Sequence, residues 1–264
     1  MSVEVYDKSV EIDGIWIPYR EAGAGETIVF LHGAGGAPPV TASFVAMLGE
    51  RHRVLVPSRP GFDGAAVGDC KTMLDVVAVM AAFIARVGDG KVHLVAQSAG
   101  GAIGAWLAIL HPELVESLVL SAPAAFAHHR APPAGVARPS PEEIEKRLYG
   151  DHPTWSAPPT EAERKRIAGN AMANMGRFSA PEGNSDLQAR LGEITVPVLL
   201  IVATEDRMIP EAAMLPYQES IPSLIRIFIH GAAHEMPIAA ATPWVKLVAE
   251  FVDRGEYFLV NSGT

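Results

Sequence analysis

The stretch LVAQSAGGAI, residues 94–103, leads from an apolar run through a serine into small residues and then into a second apolar run. If residues 92–96 form a strand and residues 99–111 a helix, Ser98 occupies the turn between them. The chain has to reverse direction there within one or two residues, which leaves little room for side chains. The small residues beside Ser98 therefore predict a tight turn from a strand into a helix.

Short, nearly continuous runs rich in β-branched residues occur along the rest of the chain and are typical of parallel strands buried on both faces. The runs are TIVFLH (27–32), HRVLVP (52–57), KVHLVA (91–96), VESLVL (115–120), VPVLLIVA (196–203) and LIRIFIH (224–230). Segments with helical spacing alternate with them at residues 41–48, 72–87, 99–111, 211–220 and 243–252. This alternation predicts an α/β fold, in which a mostly parallel twisted sheet carries helices on both faces.

The first segment of the chain has a different pattern. Between residues 3 and 23, apolar residues stand at alternate positions on either side of Asp13-Gly14. An Asp-Gly pair suits a two-residue hairpin turn. We therefore expect two antiparallel strands ahead of the parallel ones.

The alternation stops between residues 123 and 192, an interval that has no convincing strand and holds nine of the 21 prolines. Residues 141–148 and 160–175 have helical spacing there, with charges on one side and apolar residues on the other. The apolar side consists of Ile144, Leu148, Ile167, Ala171 and Met175. We predict a core domain of residues 1–122 and 193–264, and a helical lid (cap) insertion at residues 123–192. A surface decoration is the alternative interpretation of this insertion.

Composition and charge restrict the partners that the chain can bind. With 264 residues, 49% of them hydrophobic and 19% charged, the chain can build a substantial core. The formal net charge of −9 disfavours nucleic acids and anionic membranes, because both bind cationic patches. We expect a small-molecule substrate, no nucleic acid and no membrane partner, and the oligomeric state stays open.

The cysteine content and the length of the apolar runs indicate the cellular compartment. Cys70 is the single cysteine of the sequence, so nothing calls for an oxidising compartment. The first residues do not show the basic-then-apolar pattern of a signal peptide. The longest apolar run, residues 76–85, is too short to span a bilayer. We expect a soluble, cytoplasmic protein.

Polar side chains that could carry chemistry follow several of the predicted strands. Ligands of an open α/β sheet bind at the carboxyl ends of the strands, so residues directly after each strand are the first candidates. Ser98, Asp206 and His234 each follow one of these strands, and so does the segment His32-Gly33-Ala34-Gly35-Gly36. We therefore expect a serine, a carboxylate and a histidine to meet at one edge of the sheet.

This combination matters because a serine hydroxyl is a weak nucleophile at neutral pH unless a base accepts its proton. His234 could accept the proton of Ser98, while the Asp206 carboxylate on the other ring nitrogen would fix the tautomer and stabilise the imidazolium. Each residue alone has an ordinary interpretation, as a turn serine, a loop histidine or a helix-capping acid. Their order Ser, Asp, His after three strands favours nucleophilic catalysis.

The segment A-Q-S-A-G-G around Ser98 resembles the nucleophile elbow of the α/β-hydrolase family, G-x-S-x-G, with Ala96 in place of the first glycine. Alanine is small enough for this crowded turn. The resemblance extends over nearly the whole chain. It implies an α/β-hydrolase fold and a nucleophilic role for Ser98.

Two further segments resemble those that carry the acid and the base in this family. ATEDRMIP is similar to the acid segment, which points to Asp206 rather than Glu205. HGAAHEMP is similar to the histidine loop, which points to His234 rather than His230. The resemblance therefore implies a catalytic triad of Ser98, Asp206 and His234.

The HG-x-G segment of the family corresponds to HGAGG at residues 32–36. This similarity implies an oxyanion hole in which the backbone N–H groups of Ala34 and Ala99 donate to the oxygen that becomes negative in a tetrahedral intermediate. Glycines let the backbone approach the substrate here. We expect His32 itself to be structural and to orient the loop.

The same glycines allow a different hypothesis, because a Gly-rich turn after an early strand can hold a dinucleotide phosphate. However, Pro38 stands where G-x-G-x-x-G needs its third glycine, and no acid closes the next strand, although Ser58-Arg59 could meet a 2′-phosphate. A Walker-type motif and paired Cys or His residues at zinc spacing are also absent from the sequence. We favour an enzyme that needs no metal and no organic cofactor over an NADP-dependent reductase.

A serine at the elbow favours acyl transfer to water, since the dehalogenases and epoxide hydrolases of the family use aspartate there. The expected function is that of a serine hydrolase which cleaves a small carboxylic ester through a Ser98 acyl-enzyme. The S-x-G-G segment that begins at Ser98 also resembles hydrolases that cleave a carbon–carbon bond in a ring-cleavage diketone. This activity, lactone hydrolysis, perhydrolysis with peroxide and a non-catalytic binding protein are the alternatives.

The predicted lid is expected to select the substrate. Met208 and Met236 each follow a triad residue by two positions and could border the site. Candidates for the pocket within the lid are His128, His129, Arg130, Trp155, Met172, Met175 and Phe178.

Overall fold

The computed structural model describes residues 3–126, 139–155, 157–174 and 185–258, and a single eight-stranded sheet runs through these ranges. The strands are β1 Val5–Ile12, β2 Ile15–Ala22, β3 Thr27–Leu31, β4 Arg53–Pro57, β5 Val92–Gln97, β6 Val115–Ser121, β7 Val198–Ala203 and β8 Leu224–Ile229. From one edge to the other their order is β1-β2-β4-β3-β5-β6-β7-β8.

The sheet is mostly parallel, as predicted. β1 pairs with β2 as an antiparallel hairpin, and β2 runs antiparallel to β4. All other neighbouring pairs are parallel. At the hairpin turn, Asp13 and Gly14 have φ of +48° and +76°, the positive angles that a type I′ turn requires at both positions. The Asp-Gly pair therefore explains where the first two strands reverse.

The described helices are α1 Phe44–Gly49, α2 Met73–Val87, α3 Gly100–Leu110, α4 Pro141–Tyr149, α5 Glu161–Asn174, α6 Ser185–Arg190, α7 Leu215–Ser220, α8 Met236–Ala239 and α9 Ala241–Arg254. The helix predicted at residues 211–220 is a 3-10 turn at Glu211–Met214 followed by α7. Two short helices, α6 and α8, were not predicted. In the part of the chain that the structure describes, no helix is both long enough and apolar enough to cross a membrane.

Neighbouring residues of a strand point to opposite sides of the sheet, and helices cover both sides. In β3, the Phe30 ring packs against Phe44 of α1 and Trp244 of α9, with ring centroids 4.8 and 6.2 Å away. The next residue, Leu31, lies on the side of Gly104 in α3. A β-carbon on Gly104 would come within 2.7 Å of a β5 side chain, so glycine lets α3 lie directly on the sheet.

Between β6 and β7 the described residues form helices and no strand, as predicted for the insertion. α4 begins after Ser140, whose hydroxyl accepts a hydrogen bond from the Glu143 N–H at 3.2 Å, and it ends at Gly150, where φ is +82°. α6 contacts α3 and α7 of the core. The division into a core and a lid at residues 122 and 193 stays a prediction.

The face by which α5 meets the core is largely polar. Ile167 and Ala171 of the predicted apolar side are half-buried, and Met175 lies outside the described residues. The same half-buried face also carries Glu163, Arg166, Asn170 and Asn174. These polar side chains bond to the loops after β3 and β4, whereas no side chain of α5 is fully buried. The prediction that apolar residues form the inner face of α5 was therefore incomplete.

Candidate active site

Ser98 lies in a left-handed turn directly after β5. Its φ is +51°, a conformation that is unfavourable for a residue with a side chain and needs support from its surroundings. The Ser98 N–H donates to Ser121 at 3.0 Å, and the Ser98 carbonyl accepts from the N–H groups of Gly101 and Ala124 at 2.8 Å. A β-carbon on Gly100 would lie 2.2 Å from a backbone carbonyl oxygen of β3. The tight turn predicted from LVAQSAGGAI is therefore present, and it requires glycine at position 100.

The imidazole of His234 connects Ser98 to Asp206. Its Nε2 lies 2.9 Å from Ser98 Oγ, and its Nδ1 lies 2.8 Å from Asp206 Oδ2. The other carboxylate oxygen, Oδ1, accepts hydrogen bonds from the N–H groups of Met208 and Ile209, each at 2.8 Å. The side chains of His234 and Asp206 are 3% and 2% exposed, so bulk water is excluded from the pair. The structure thus brings together the three residues that were predicted from the strand ends.

Hydrogen bonding determines where His234 carries its hydrogen. A carboxylate can only accept hydrogen bonds, so Nδ1 of His234 holds the hydrogen and donates it to Asp206. In the neutral ring Nε2 then has a free lone pair, which can accept the hydroxyl proton of Ser98. The loop is held in place by Gln97, whose Nε2 donates to the His234 carbonyl oxygen at 3.0 Å.

Opposing effects set the proton affinity of His234. Burial lowers the pKa of the imidazole, because the charged form loses its contact with water. The hydrogen bond and charge of Asp206, with the charge of Glu235, act in the other direction and prevail, so the pKa is raised above 6.5. A raised pKa makes Nε2 a stronger base.

The loop after β3 lies against Ser98. A β-carbon on Gly33 would come within 3.0 Å of Ser98 Cβ and 3.6 Å of Oγ, so glycine is needed for this close approach. The predicted oxyanion donors are the N–H groups of Ala34 and Ala99. Neither N–H has a hydrogen-bond partner among the described residues, and their role stays a prediction.

His32 is buried beneath this loop and bonds to its backbone. Its Nδ1 lies 2.8 Å from the Gly33 carbonyl oxygen, and its Nε2 accepts the N–H of Arg59 at 3.1 Å. Burial, together with the charge of Arg59, lowers the pKa of His32 to about 3. The ring is therefore neutral near pH 7, and its contacts agree with the expected structural role.

Arg59 and Asp63 have contacts that sequence reasoning missed. From the sequence, Arg59 was interpreted only as a possible ligand of a 2′-phosphate. In the structure it is buried and donates to the Gly33 carbonyl oxygen at 2.8 Å. Asp63 accepts hydrogen bonds from the Ala37 N–H and from Asn170, both at 2.7 Å, and pairs with Arg166. Polar residues spaced three and four apart along α5 were the signal that could have revealed this second cluster.

The other candidates differ in their exposure, and Met208 contacts Asp206 through its backbone N–H. Glu205 and His230 are exposed, Met208 is exposed, and Met236 is fully buried. Trp155 packs edge-on against a neighbouring tyrosine ring, and Met172 is exposed. The remaining lid candidates lie outside the described residues: His128, His129, Arg130, Met175 and Phe178.

Within the described ranges, no three His, Cys, Asp or Glu side chains form a group that could hold a metal ion.

Two curated relatives are hydrolases by name. The 2-hydroxy-6-oxo-6-(2'-aminophenyl)hexa-2,4-dienoic acid hydrolase of Metapseudomonas resinovorans is 32% identical over 119 residues, which cover 43% of this chain and 41% of that protein. The match therefore spans less than half the length of this relative. The pimeloyl-[acyl-carrier protein] methyl ester esterase of Aeromonas hydrophila subsp. hydrophila is 26% identical over 250 residues, 87% of this chain and 96% of that protein.

A similar solved structure is the meta-cleavage product hydrolase CumD from Pseudomonas fluorescens IP01. Its TM-score is 0.75 at 20% identity, and the alignment covers 93% of this chain and 97% of that one. At this identity the similarity concerns the fold alone. The model of the alpha/beta hydrolase family matches residues 28–250, which include all three residues of the cluster. The chain is therefore a hydrolase that belongs to the alpha/beta hydrolase family.

Proposed function

We propose that this hydrolase cleaves small carboxylic esters through an acyl-enzyme on Ser98. The observation that carries the proposal is the pair of hydrogen bonds at His234, 2.9 Å to Ser98 Oγ and 2.8 Å to the Asp206 carboxylate. These distances allow the hydroxyl proton to leave as attack begins. Ser98 is then the nucleophile, His234 the base, and Asp206 the group that orients the imidazole.

Acylation begins when Ser98 Oγ attacks the ester carbonyl carbon and its proton passes to Nε2 of His234. The carbonyl oxygen becomes negative and accepts hydrogen bonds from the N–H groups of Ala34 and Ala99. Asp206 stabilises the imidazolium through its carboxylate at Nδ1. His234 then gives the proton to the leaving alkoxide oxygen, the carbon–oxygen bond breaks, and the alcohol departs.

Deacylation repeats these steps with water. Nε2 of His234 takes a proton from a water molecule, whose oxygen attacks the acyl carbonyl carbon. The second tetrahedral intermediate releases Ser98 Oγ, which receives the proton back, and the carboxylic acid leaves. Protons and electrons balance over the cycle, so the proposed reaction uses neither a metal ion nor an organic cofactor.

The electrostatics beside the cluster favour an uncharged acyl group. Glu235 follows His234 directly, and its charge raises the pKa of His234. Burial raises the pKa of the Glu235 carboxyl, with Asp206 acting in the same direction and His234 in the opposite one. In the described part of the chain, no lysine or arginine forms an ion pair with these acids. A substrate carboxylate near His234 would meet acids there, which supports a neutral ester as the substrate.

Carbon–carbon bond hydrolysis of a ring-cleavage diketone is the second candidate. The relative from Metapseudomonas resinovorans, a hexa-2,4-dienoic acid hydrolase by name, favours it. The S-x-G-G segment that begins at Ser98 points in the same direction. A lactonase would follow the first mechanism, since a lactone is a cyclic ester.

Ser98→Ala tests the proposal. The wild type should react with a fluorophosphonate probe and turn over a short p-nitrophenyl ester, whereas the folded variant should not be labelled and should lose about three orders of magnitude or more in kcat. Turnover by the variant near the wild-type rate would contradict the role of Ser98. A folded wild type that is never labelled would favour a binding protein instead.

The two substrate classes are separated by initial rates on that ester and on a dienol-ketone ring-fission product. The ester proposal predicts higher kcat/KM for the ester. A strong preference for the ring-fission product would replace the ester proposal and leave the role of Ser98 unchanged.

A further inference from the structure

Arg59 is a buried cation that faces the loop of Gly33 and Ala34. Its side chain is 4% exposed, lies over the Phe62 ring at 4.6 Å from the centroid, and donates from Nη2 to the Gly33 carbonyl oxygen at 2.8 Å. Among the described residues, its Nε has no hydrogen-bond partner and no carboxylate pairs with it directly. Burying a cation with so few partners is unfavourable for stability. Stability alone therefore does not account for Arg59.

His32 acts on the same carbonyl oxygen. The backbone N–H of Arg59 donates to Nε2 of His32 at 3.1 Å, so this nitrogen carries no hydrogen. The hydrogen is on Nδ1, which donates to the Gly33 carbonyl oxygen at 2.8 Å. Arg59 Nη2 lies 3.2 Å from this Nδ1, and because both nitrogens are donors, their shared acceptor is the Gly33 carbonyl oxygen. The Gly33 carbonyl oxygen thus accepts three hydrogen bonds, from His32 Nδ1, from the guanidinium of Arg59 and, at 3.4 Å, from the backbone N–H of Gly36.

This carbonyl and the N–H of Ala34 belong to one planar trans peptide, so fixing the oxygen also fixes the direction of the N–H. Hydrogen bonds accepted by a carbonyl polarise the peptide and strengthen its N–H as a donor, by about 10–30% per bond. A charged donor adds to this effect. The Ala34 N–H has no partner among the described residues, and the adjoining Gly33 lies against Ser98. The polarised end of the peptide is thus free for a ligand.

We propose that Arg59 is a positioning residue that holds and polarises the Gly33–Ala34 peptide, so that the Ala34 N–H stabilises the negative oxygen of the tetrahedral intermediate. The proposal rests on the ester hydrolysis at Ser98 proposed above. Arg59 acts through the peptide and does not touch the substrate. Because the oxygen is negative only after attack, the effect falls on kcat and leaves KM nearly unchanged.

Arg20 of β2 provides a matched control, because it donates to another part of the loop after β3. It is also buried, and it donates to the carbonyl oxygens of Pro38 at 2.5 Å and Pro39 at 3.5 Å. These carbonyls do not belong to the peptide between Gly33 and Ala34. Arg20→Met therefore measures the general effect of removing a buried arginine that supports the loop after β3.

Arg59→Met should lower kcat on a p-nitrophenyl ester by about tenfold to a hundredfold, less than the loss of a whole oxyanion donor, with KM within about twofold. Arg20→Met should lower kcat by less than about threefold. Thermal melts of both variants compare their stabilities. Equal kcat losses in Arg59→Met and Arg20→Met would contradict the proposal.

The ratio of kcat/KM on an oxygen ester to that on the matching thionoester tests the hydrogen bond to the atom that becomes negative. Sulfur is larger than oxygen and accepts N–H hydrogen bonds more weakly, so a working oxyanion site discriminates against the thionoester. Wild type and Arg20→Met should share a strong preference for the oxygen ester, and Arg59→Met should lose most of it. A purely structural role of Arg59 would slow both esters equally and leave the ratio unchanged.

Arg59→Lys keeps the proposal testable if Arg59→Met does not fold. Lysine retains the charge and can donate to the Gly33 carbonyl oxygen, but it lacks the planar fork of the guanidinium. Both kcat and the oxygen-to-sulfur ratio should therefore lie between the wild-type and Arg59→Met values. If the wild type is labelled and active, and the Arg59 variants keep the wild-type oxygen-to-sulfur ratio, the role of Arg59 is contradicted while the proposed function stands. A wild type that no fluorophosphonate labels would overturn the proposed function and, with it, the role of Arg59.

Discussion

Two buried histidines at the same edge of the sheet have opposite proton affinities. Both place Nδ1 2.8 Å from an oxygen atom, that of Asp206 for His234 and that of Gly33 for His32. Burial lowers the pKa of both rings, yet Asp206 raises the pKa of His234 above 6.5, whereas Arg59 helps to lower that of His32 to about 3. The charge of the neighbour, and not burial, therefore separates the ring that can take a proton from the ring that cannot.

Replacing the carboxylate of Asp206 should produce the largest effect. In Asp206→Asn the amide oxygen can still accept from Met208 and Ile209, while the amide NH2 faces Nδ1 of His234. Because this NH2 can only donate, His234 would carry its hydrogen on Nε2 and could no longer accept the proton of Ser98. We expect kcat to fall by about 10⁴-fold, measured by steady-state kinetics on a p-nitrophenyl ester.

A second histidine–aspartate pair provides the control for this change. His52 Nε2 lies 2.9 Å from Oδ1 of Asp253 in α9, away from Ser98. Asp253→Asn should keep kcat within about twofold of the wild type. Circular dichroism on both variants checks the fold. Equal kcat losses in the two variants would show that the charge beside His234 has no special role.

The low pKa of His32 should appear as a pH dependence of stability. Above pH 6.5 the ring is neutral in both states, so its stabilising contribution is complete. As the pH falls from 6.5 toward 3, the unfolded state binds a proton that the folded state does not, and the free energy of unfolding decreases by about 1.4 kcal/mol per pH unit. Between pH 6.5 and 4, the free energy of unfolding should therefore decrease by about 3 kcal/mol less in His32→Gln than in the wild type.

Urea denaturation of both proteins at several pH values measures this difference. Carboxylates contribute to acid unfolding in both proteins, so only the difference between the two curves reports on His32. Parallel curves would contradict the neutral state inferred for this ring.

The raised pKa of His234 should set the acid limb of the pH profile, which is the range where kcat/KM falls as the pH decreases. The base has to be neutral, so kcat/KM should fall as the pH decreases through a value above 6.5. His32→Gln should leave the position of this limb unchanged, because His32 is already neutral there. Glu235→Gln removes one of the charges that raise the pKa and should move the limb to lower pH. A limb that shifts in His32→Gln but not in Glu235→Gln would reverse the assignment of the two rings.

The histidine of the candidate site was predictable from the sequence because His234, like Ser98 and Asp206, follows a strand. In β3, β5 and β7 every residue is buried, which produces the continuous apolar runs that predicted the parallel sheet. Positions at strand ends then follow from the order of elements alone. Neither step needs knowledge of contacts between distant loops.

The environment of His32 was not predictable in this way. The bond from Arg59 to Gly33 joins loops 26 residues apart, and that from Asn170 to Asp63 joins positions 107 residues apart. Apolar spacing does not report such contacts, because α5 meets these loops with polar side chains. A buried arginine in a loop also has the same sequence signature as an exposed one.

Asn170→Ala tests whether α5 supports only the side of the site that contains His32. Asn170 Nδ2 donates to the Gly35 carbonyl oxygen at 3.1 Å and to Asp63 at 2.7 Å, so its loss should destabilise the fold by about 1–2 kcal/mol. The loop of His234 is held by Gln97 instead, so the acid limb of activity should not move. Lys165→Ala, on the exposed side of α5, should leave stability and activity within error of the wild type. Urea denaturation and pH–rate profiles measure both quantities, and a shifted acid limb in Asn170→Ala would mean that the two histidine environments are coupled.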